Sequence, residues 1–357
     1  MKFMHLSGIR LGMYSESGRR WSEERQYEVS ESLKRACRKA SDEQVDIVLI
    51  AGELFDHQPV TRELEEADRI FCDYPEVSFV IIAGESDRIS GNSPVLSYKW
   101  SDNVHYVLSG KGEKISFPEL FTEVFARSTT PEPVPFDEVF SMREPGGPAT
   151  ISIALLYEKG LERNKDFRCG TFSYAALGGR NSHYEVEKDR AFYSGGLEPQ
   201  GMTDQGAHGY YIGEISPVTG FLTDIEFISD ASASYVPLLV KIGTGTDSAQ
   251  LEAILEKEIL RRGASNIYRI RISGKKDPGK VFTVDSLKGR YRIAEFIDES
   301  EPQYDFESLF DDHRQDMIGY LISSFNKNSN MPDIDKKALF YGIDALIKTS
   351  GKEGEEK

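Results

Sequence analysis

Apolar residues fall in two alternating rhythms along the first half of the chain. FMHLSGIRLG opens it as a buried strand, and from about Ser22 to Ala40 the spacing turns helical, with Tyr27, Leu33 and Cys37 as apolar positions. VDIVLIAG follows, a continuous apolar run ending in Gly, the pattern of a strand buried on both faces. A second helical stretch, about Leu64 to Asp73, leads into VSFVIIAG, another such strand. This βαβαβ rhythm predicts a layered α/β fold, whose natural place for a site is the loops at the carboxyl ends of its strands.

From about Val104 to Phe140 the pattern shortens to strands and turns, with a Pro-rich stretch at Thr130 to Pro135. TISIALLY (Thr150 to Tyr157) is a further apolar strand, and YAALGG, AFYSGGLEP, HGYYIGEI and TDIEFI continue a strand-rich region. A smaller unit follows. YVPLLVKIG reads as a strand and DSAQLEAILEKEILRRG as a helix, with Asp247 or Ser248 as N-cap and Gly263 as its end. NIYRIRISG and RYRIAEFID alternate like half-exposed strands. Two amphipathic segments close the chain, with Leu309, Phe310, Met317, Leu321 and Ile322 on one and Ala338, Leu339, Ile343, Leu346 and Ile347 on the other. The expected divisions are 1–232, 233–300 and 301–350, with GKEGEEK (351–357) as a disordered tail.

Composition narrows the function classes. The 357 residues are 39% hydrophobic and 29% charged, ordinary for a globular protein, and no apolar run is long enough to cross a bilayer. MKFMHLSGIRLG lacks the build of a signal peptide, so a cytoplasmic protein with no membrane contact is expected. A net charge of −16 without a basic stripe argues against gripping DNA alone, since phosphate contacts dominate that affinity. Cys37, Cys72 and Cys169 are odd in number and widely spaced, which predicts buried free thiols rather than disulfides or a zinc site.

Four loop segments carry the chemistry: HLSGIRLG (His5 to Gly12), DIVLIAGELFDH (Asp46 to His57), FVIIAGESDR (Phe79 to Arg88) and YAALGGRN (Tyr174 to Asn181). In order and spacing they resemble the calcineurin-like metallophosphoesterases, specifically the SbcD-like nuclease subunits that work with an SMC-type ATPase. That family reads Asp-x-His, Gly-Asp, Gly-Asn-His-Asp and Gly-His-x-His at these places, and AFYSGGLEP also follows its wording. The resemblance covers about Met1 to Ser229 and implies a four-layer αββα sandwich, followed by a small α/β cap domain and C-terminal helices.

The family's metal ligands are not retained. Its Asp and His match Gly8 and Arg10, its bridging Asp matches Glu53, its Asn and general-acid His match Glu85 and Ser86, and its strand-end His matches Tyr157. The paired His of the last motif match Gly179 and Asn181, and Asp87 is kept. Glycine offers no ligand, arginine is a permanent cation, and a phenol with a pKa near ~10 is a poor donor. No two-metal centre is therefore expected. Arg10, Glu53 and Glu85, with Arg180, are instead expected to converge as ion pairs where the metals would sit.

The leading expectation is an inactive SbcD-like scaffold or regulatory subunit. It would meet an SMC-like ATPase through the helices of Phe306 to Phe325 and Asp335 to Lys348, and DNA only within that complex. Those helices could equally pack on their own chain or form a homodimer. Two other classes stay open. One is a phosphodiesterase with a rebuilt site that binds Mn²⁺ or Mg²⁺ through Glu53, Glu85 and His183. The other is a phosphate or nucleotide sensor that uses Arg10 and Arg180, with Gly52, Gly84 and Gly178 admitting the ligand.

Overall fold

The aliphatic runs become adjacent parallel strands. In the computed structural model β1 (Lys2–Leu6), β2 (Ile47–Ile50) and β3 (Ser78–Ile81) pair in that order, and β4 (Val104–Tyr106) extends the parallel run. The structure describes residues 1–352 apart from 16–17, 133–134, 136, 144–149, 165–166 and 326–331. A second six-stranded sheet takes β5 (Glu113–Phe117), β6 (Thr122–Arg127), β7 (Ile151–Tyr157), β8 (Tyr174–Gly178), β9 (Tyr184–Glu187) and β10 (Ala191–Tyr193), in the order β5-β6-β7-β8-β10-β9. The chain then returns to the first sheet as the hairpin β11 (Gly209–Ile215) and β12 (Leu222–Ser229), with β11 antiparallel beside β1.

Side-chain alternation assigns the layers. Phe3, Ile47, Leu49 and Val80 share one core with Ile153, Leu155, Tyr174 and Phe192, so the sheets pack face to face. The opposite face of the first sheet, with Met4, Leu6, Val48, Ile50 and Phe79, buries Leu33, Ala36 and Cys37 of α1 (Ser22–Asp42) and Leu64, Ala67 and Phe71 of α2 (Thr61–Cys72). Tyr27 does not belong to this core; it stands 66% exposed, and Val29 and Ala36 complete the buried stripe in its place. On the outer face of the second sheet, Val139 of α3 (Asp137–Ser141) joins Leu161, Phe167 and Phe172 over Ala154, Leu156 and Leu177. Among the described residues this fourth layer is a five-residue α-helix, a 3-10 turn at Leu161–Arg163 and irregular chain, thinner than the expected helical layer.

The chain divides into two compact units, Met1–Val236 with Ser265–Tyr268 and Pro237–Ala264 with Arg269–Lys357. The second is built on β13 (Tyr235–Ile242), α4 (Ser248–Arg262), β14 (Ile267–Lys276), α5 (Asp285–Lys288), β15 (Arg292–Asp298) and β16 (Glu301–Pro302). Asp247 caps α4 by accepting the Gln250 N–H at 2.7 Å while the Gln250 side chain reaches back, and Gly263 ends the helix. In the same unit, α6 (Phe306–Asp312), α7 (Met317–Phe325) and α8 (Asp333–Lys352) share a core of Tyr304, Ile318, Ile322, Leu339 and Ile343. The helix α8 continues through Gly351 and Lys352, the first residues of the tail expected to be disordered; residues 353–357 lie outside the described ones. Cys37 and Cys169 are buried as expected, but Cys72, at the solvent side of the last turn of α2, is exposed. Among the described residues no helix is long and apolar enough to cross a membrane.

Candidate functional site

Each loop singled out by its sequence leaves the carboxyl end of a parallel strand. Gly8 and Arg10 follow β1, Glu53 follows β2, Glu85 to Asp87 follow β3, Tyr157 closes β7, and Gly179 to Asn181 follow β8. The first two loops run side by side. The Gly8 N–H donates to Gly52 O at 2.8 Å, the Leu11 N–H to Leu54 O at 2.8 Å, and the Asp56 N–H to Leu11 O at 3.0 Å. Gly8 and Arg10 adopt left-handed backbone (φ 53° and 56°), which turns the Arg10 side chain across to the neighbouring loop.

There the Arg10 guanidinium spans two carboxylates. Its Nη2 lies 2.5 Å from Glu53 Oε2, and its Nη1 donates to Asp56 Oδ1 at 2.8 Å. Glu53 is only 4% exposed, and its second oxygen accepts from the Tyr157 hydroxyl at 3.1 Å and the Ser86 N–H at 3.2 Å. Both oxygens are thus satisfied, the condition under which a buried carboxylate is tolerated. Burial opposes the charge on Arg10, but Glu53 and Asp56 outweigh it and raise the pKa above the ordinary arginine value. Burial, reinforced by Glu53, raises the Tyr157 phenol too, so it stays protonated and remains a donor.

The strand-end glycines serve this packing. A Cβ on Gly84 would overlap the Glu53 side chain and lie 2.8 Å from the Tyr157 ring; one on Gly52 would lie 2.7 Å from Gly84 N. One on Gly178 would overlap Ala51 O. The space that these glycines leave open is filled by the chain itself, not held ready for a ligand.

The remaining expected residues do not converge. Glu85 is exposed and pairs with Lys159, whose hydrogen bond holds its carboxyl below the usual range. Lys159 is nearer because it stands two residues past Tyr157 on the facing strand end. Arg180 is drawn away by Glu162 (3.1 Å), by Ser182 (3.1 Å) and by the Tyr184 ring beneath it (4.9 Å). The Ser86 hydroxyl donates to Phe55 O at 2.6 Å. Gly179 turns the loop with φ 100°, and the exposed Asn181 amide faces Gln200 at 3.4–3.5 Å. His183 stacks on Phe227 with ring centroids 4.0 Å apart and lies 3.3 Å from the Tyr211 hydroxyl; burial lowers its pKa.

Two carboxylates secure the frame. Asp87 is fully buried and accepts N–H bonds from Gly84 (2.7 Å), Leu54 (2.8 Å) and Phe55 (3.1 Å), tying the loop after β3 to the loop after β2. Burial pushes its carboxyl up to about 7 against those three bonds. Glu198, within AFYSGGLEP, meets the buried Arg25 at 3.1 Å and accepts from Ser232 N at 2.6 Å and from the Ser32 hydroxyl. That segment therefore anchors α1 to the chain beyond β10.

Asp56 and Lys159 complete the site without having been expected there. The signal for Asp56 was its place three residues past Glu53 on the same loop; Lys159 had none beyond its nearness to Tyr157. As donors, Gly8, Arg10, Tyr157, Gly179 and Asn181 do not fit a pair of divalent cations, and Glu53, the buried carboxylate among the expected site residues, is already neutralised by Arg10. Among the described residues no group of three or more His, Cys, Asp or Glu side chains is placed to hold a metal ion. No protein-family model matches the chain, and no curated protein matches it.

Proposed function

We propose that this is a cytoplasmic, non-catalytic member of the SbcD-like metallophosphoesterases, built on that family's sandwich and acting as a scaffold or regulatory subunit of an SMC-like ATPase complex in DNA repair. One observation carries the non-catalytic part: the Arg10 guanidinium is held between Glu53 and Asp56, with the Tyr157 hydroxyl on the other oxygen of Glu53, so a covalently attached cation occupies the strand-end loops that the resemblance aligns with metal-holding ones. The loop positions at strand ends and the face-to-face sheets support the family reading. The partner reading is supported by Met317 and Tyr320 on α7 and Ile334 and Tyr341 on α8. All four are at least 64% exposed, while Ile318, Ile322, Leu339 and Ile343 are spent on the internal core.

The same geometry weighs against the other two classes. A rebuilt metal site would need Glu85, which faces Lys159, and His183, which stacks on Phe227. A phosphate sensor would need Arg10 and Arg180, and both already have carboxylate partners. The test is calorimetric titration of Mn²⁺ into chelator-stripped protein. No binding up to about millimolar concentration is expected. Tight binding of one or two ions, abolished by Glu53→Ala with Glu85→Ala, would overturn the proposal.

A further inference from the structure

The first sheet ends in β12, and among the described residues only β11 pairs with that strand. At eight residues it is the longest of the four edge strands of the two six-stranded sheets; β4 has three residues, β5 five and β9 four. A free edge turns every second N–H and C=O of a strand outward, and proteins blunt such edges with shortness, Pro or Lys. β5 carries Lys114 and runs into Pro118, and in the second unit β13 carries Pro237 and Lys241. β12, with the sequence LTDIEFIS, has none of these. Among the described residues no backbone hydrogen bond leaves it except toward β11.

Its two faces differ in chemistry. Ile225 and Phe227 are half-buried and pack on the core between the sheets, in the row that continues through Tyr211. On the other face Asp224 stands directly across from Glu214 of β11, and Glu226 follows two residues on. All three are exposed. Asp230, just past the strand, pairs with Arg35, and Glu43 pairs with Lys2 and Lys39, but among the described residues none of these three acids forms an ion pair. Like charges directly opposite on a sheet destabilise it, so this ladder weakens the bare edge and is relieved by cations laid against it.

We propose that β12 takes up an extended segment of a partner protein as an added strand, and that the side chains of this segment alternate between aliphatic and basic. Main-chain hydrogen bonds to the open edge hold it. Its aliphatic side chains continue the core row of Ile225 and Phe227, and its Lys or Arg side chains meet Asp224 and Glu226 on the other face. The eight residues of β12 span about 26 Å, room for a segment of similar length. The same acids disfavour a second copy of this chain, because two β12 edges laid antiparallel bring their carboxylates onto one face. The inference is independent of what the strand-end site does.

The test is hydrogen exchange of the full chain, read by mass spectrometry, with an acetylated peptide of about eight residues that alternates valine and lysine. Exchange across Leu222–Ser229 is expected to slow at least about tenfold at saturating peptide, with Val104–Tyr106 unchanged. A peptide of the same sequence with every amide N-methylated keeps the charge and loses the donors, and should not bind. The variant carrying Asp224→Lys and Glu226→Lys changes two exposed positions, and a thermal melt confirms that it folds. It should bind the valine–lysine peptide at least about tenfold more weakly and accept a valine–glutamate peptide instead. No protection of β12 at about millimolar peptide, equal binding of the N-methylated peptide, or unchanged affinity in the folded variant would overturn the proposal. So would protection of β12 that grows with protein concentration in the absence of peptide, which would assign the edge to a second copy.

Discussion

Arg10 and Glu53 stand 2.5 Å apart at the carboxyl ends of adjacent parallel strands, and each is the other's counter-charge in a setting with little water. Glu53 is the more buried of the two, with a side chain 5% exposed against 23% for Arg10. Removing Arg10 should therefore cost more than removing a surface ion pair, because it strands a desolvated carboxylate. Arg10→Met is expected to destabilise the fold by about 2–4 kcal/mol, the lower end allowing for the exposure of Arg10. The double variant with Glu53→Gln should recover part of that loss. Urea unfolding of the wild type, both single variants and the double variant measures the coupling directly.

Asp87 makes a different prediction, because its partners are backbone N–H groups rather than a charge. Asp87→Ala leaves the Leu54, Phe55 and Gly84 amides without their acceptor inside the core. An unsatisfied buried donor costs about 1–3 kcal/mol, and three share this one carboxylate, so a loss of more than about 3 kcal/mol is expected. Asp87→Asn should be nearly as damaging, since its amide nitrogen turns a donor toward donors. Guanidinium denaturation midpoints at constant slope would show it; a change under about 1 kcal/mol would mean that water replaces the carboxylate.

His5 should make stability fall on the acid side of neutrality. It is fully buried beside the Tyr174 hydroxyl at 3.0 Å, and burial takes its pKa down from 6.5 to about 3, against the pull of a backbone bond with Leu177. The unfolded chain takes up a proton at His5 below about pH 6.5 that the folded chain refuses until about pH 3. The stabilising contribution is thus complete above about 6.5 and is lost as pH falls through that window. By pH 5 the expected loss is about 2 kcal/mol. His5→Gln should remove this part of the slope, so melting temperatures of the two proteins should converge between about pH 7.5 and 5. Parallel slopes would show that His5 takes no part in the acid sensitivity.

The strands and the outer helices were legible in the chain because VDIVLIAG and VSFVIIAG are buried on both faces, and such runs have few other solutions. The position of each loop followed from that pattern. Which side chains meet was less legible. Arg10 reaches Glu53 through a left-handed backbone at Arg10 itself, a conformation that a non-glycine residue does not advertise in sequence. Glu85 looked like an equal candidate, and only the three-dimensional nearness of Lys159 decides against it. Tyr27 misled for a different reason: an aromatic residue at helical spacing reads as core, yet it lies two residues before Val29, on the opposite side of α1. The Arg25–Glu198 pair joins residues 173 positions apart, and no local pattern announces such a contact.

In the proposed family resemblance Gly8 is matched to the first Asp ligand, but its backbone has φ 53° and a Cβ there would lie 3.1 Å from Gly196 Cα. Any side chain must push against the Gly195–Gly196 turn and accept a left-handed conformation, which costs about 1–2 kcal/mol. Gly8→Asp is therefore expected to lower stability by about that amount. It should also confer no measurable Mn²⁺ binding, because Arg10 still neutralises Glu53 beside it. Combining it with Arg10→His, Tyr157→His and Asn181→His replaces the cation with neutral donors. If the loops keep the family's geometry, the fourfold variant should bind Mn²⁺ where the single variant does not. Calorimetry on the pair separates the two cases: binding by the single variant would mean that Arg10 does not govern the site, and no binding by the folded fourfold variant would mean that the loops have moved out of metal-holding register.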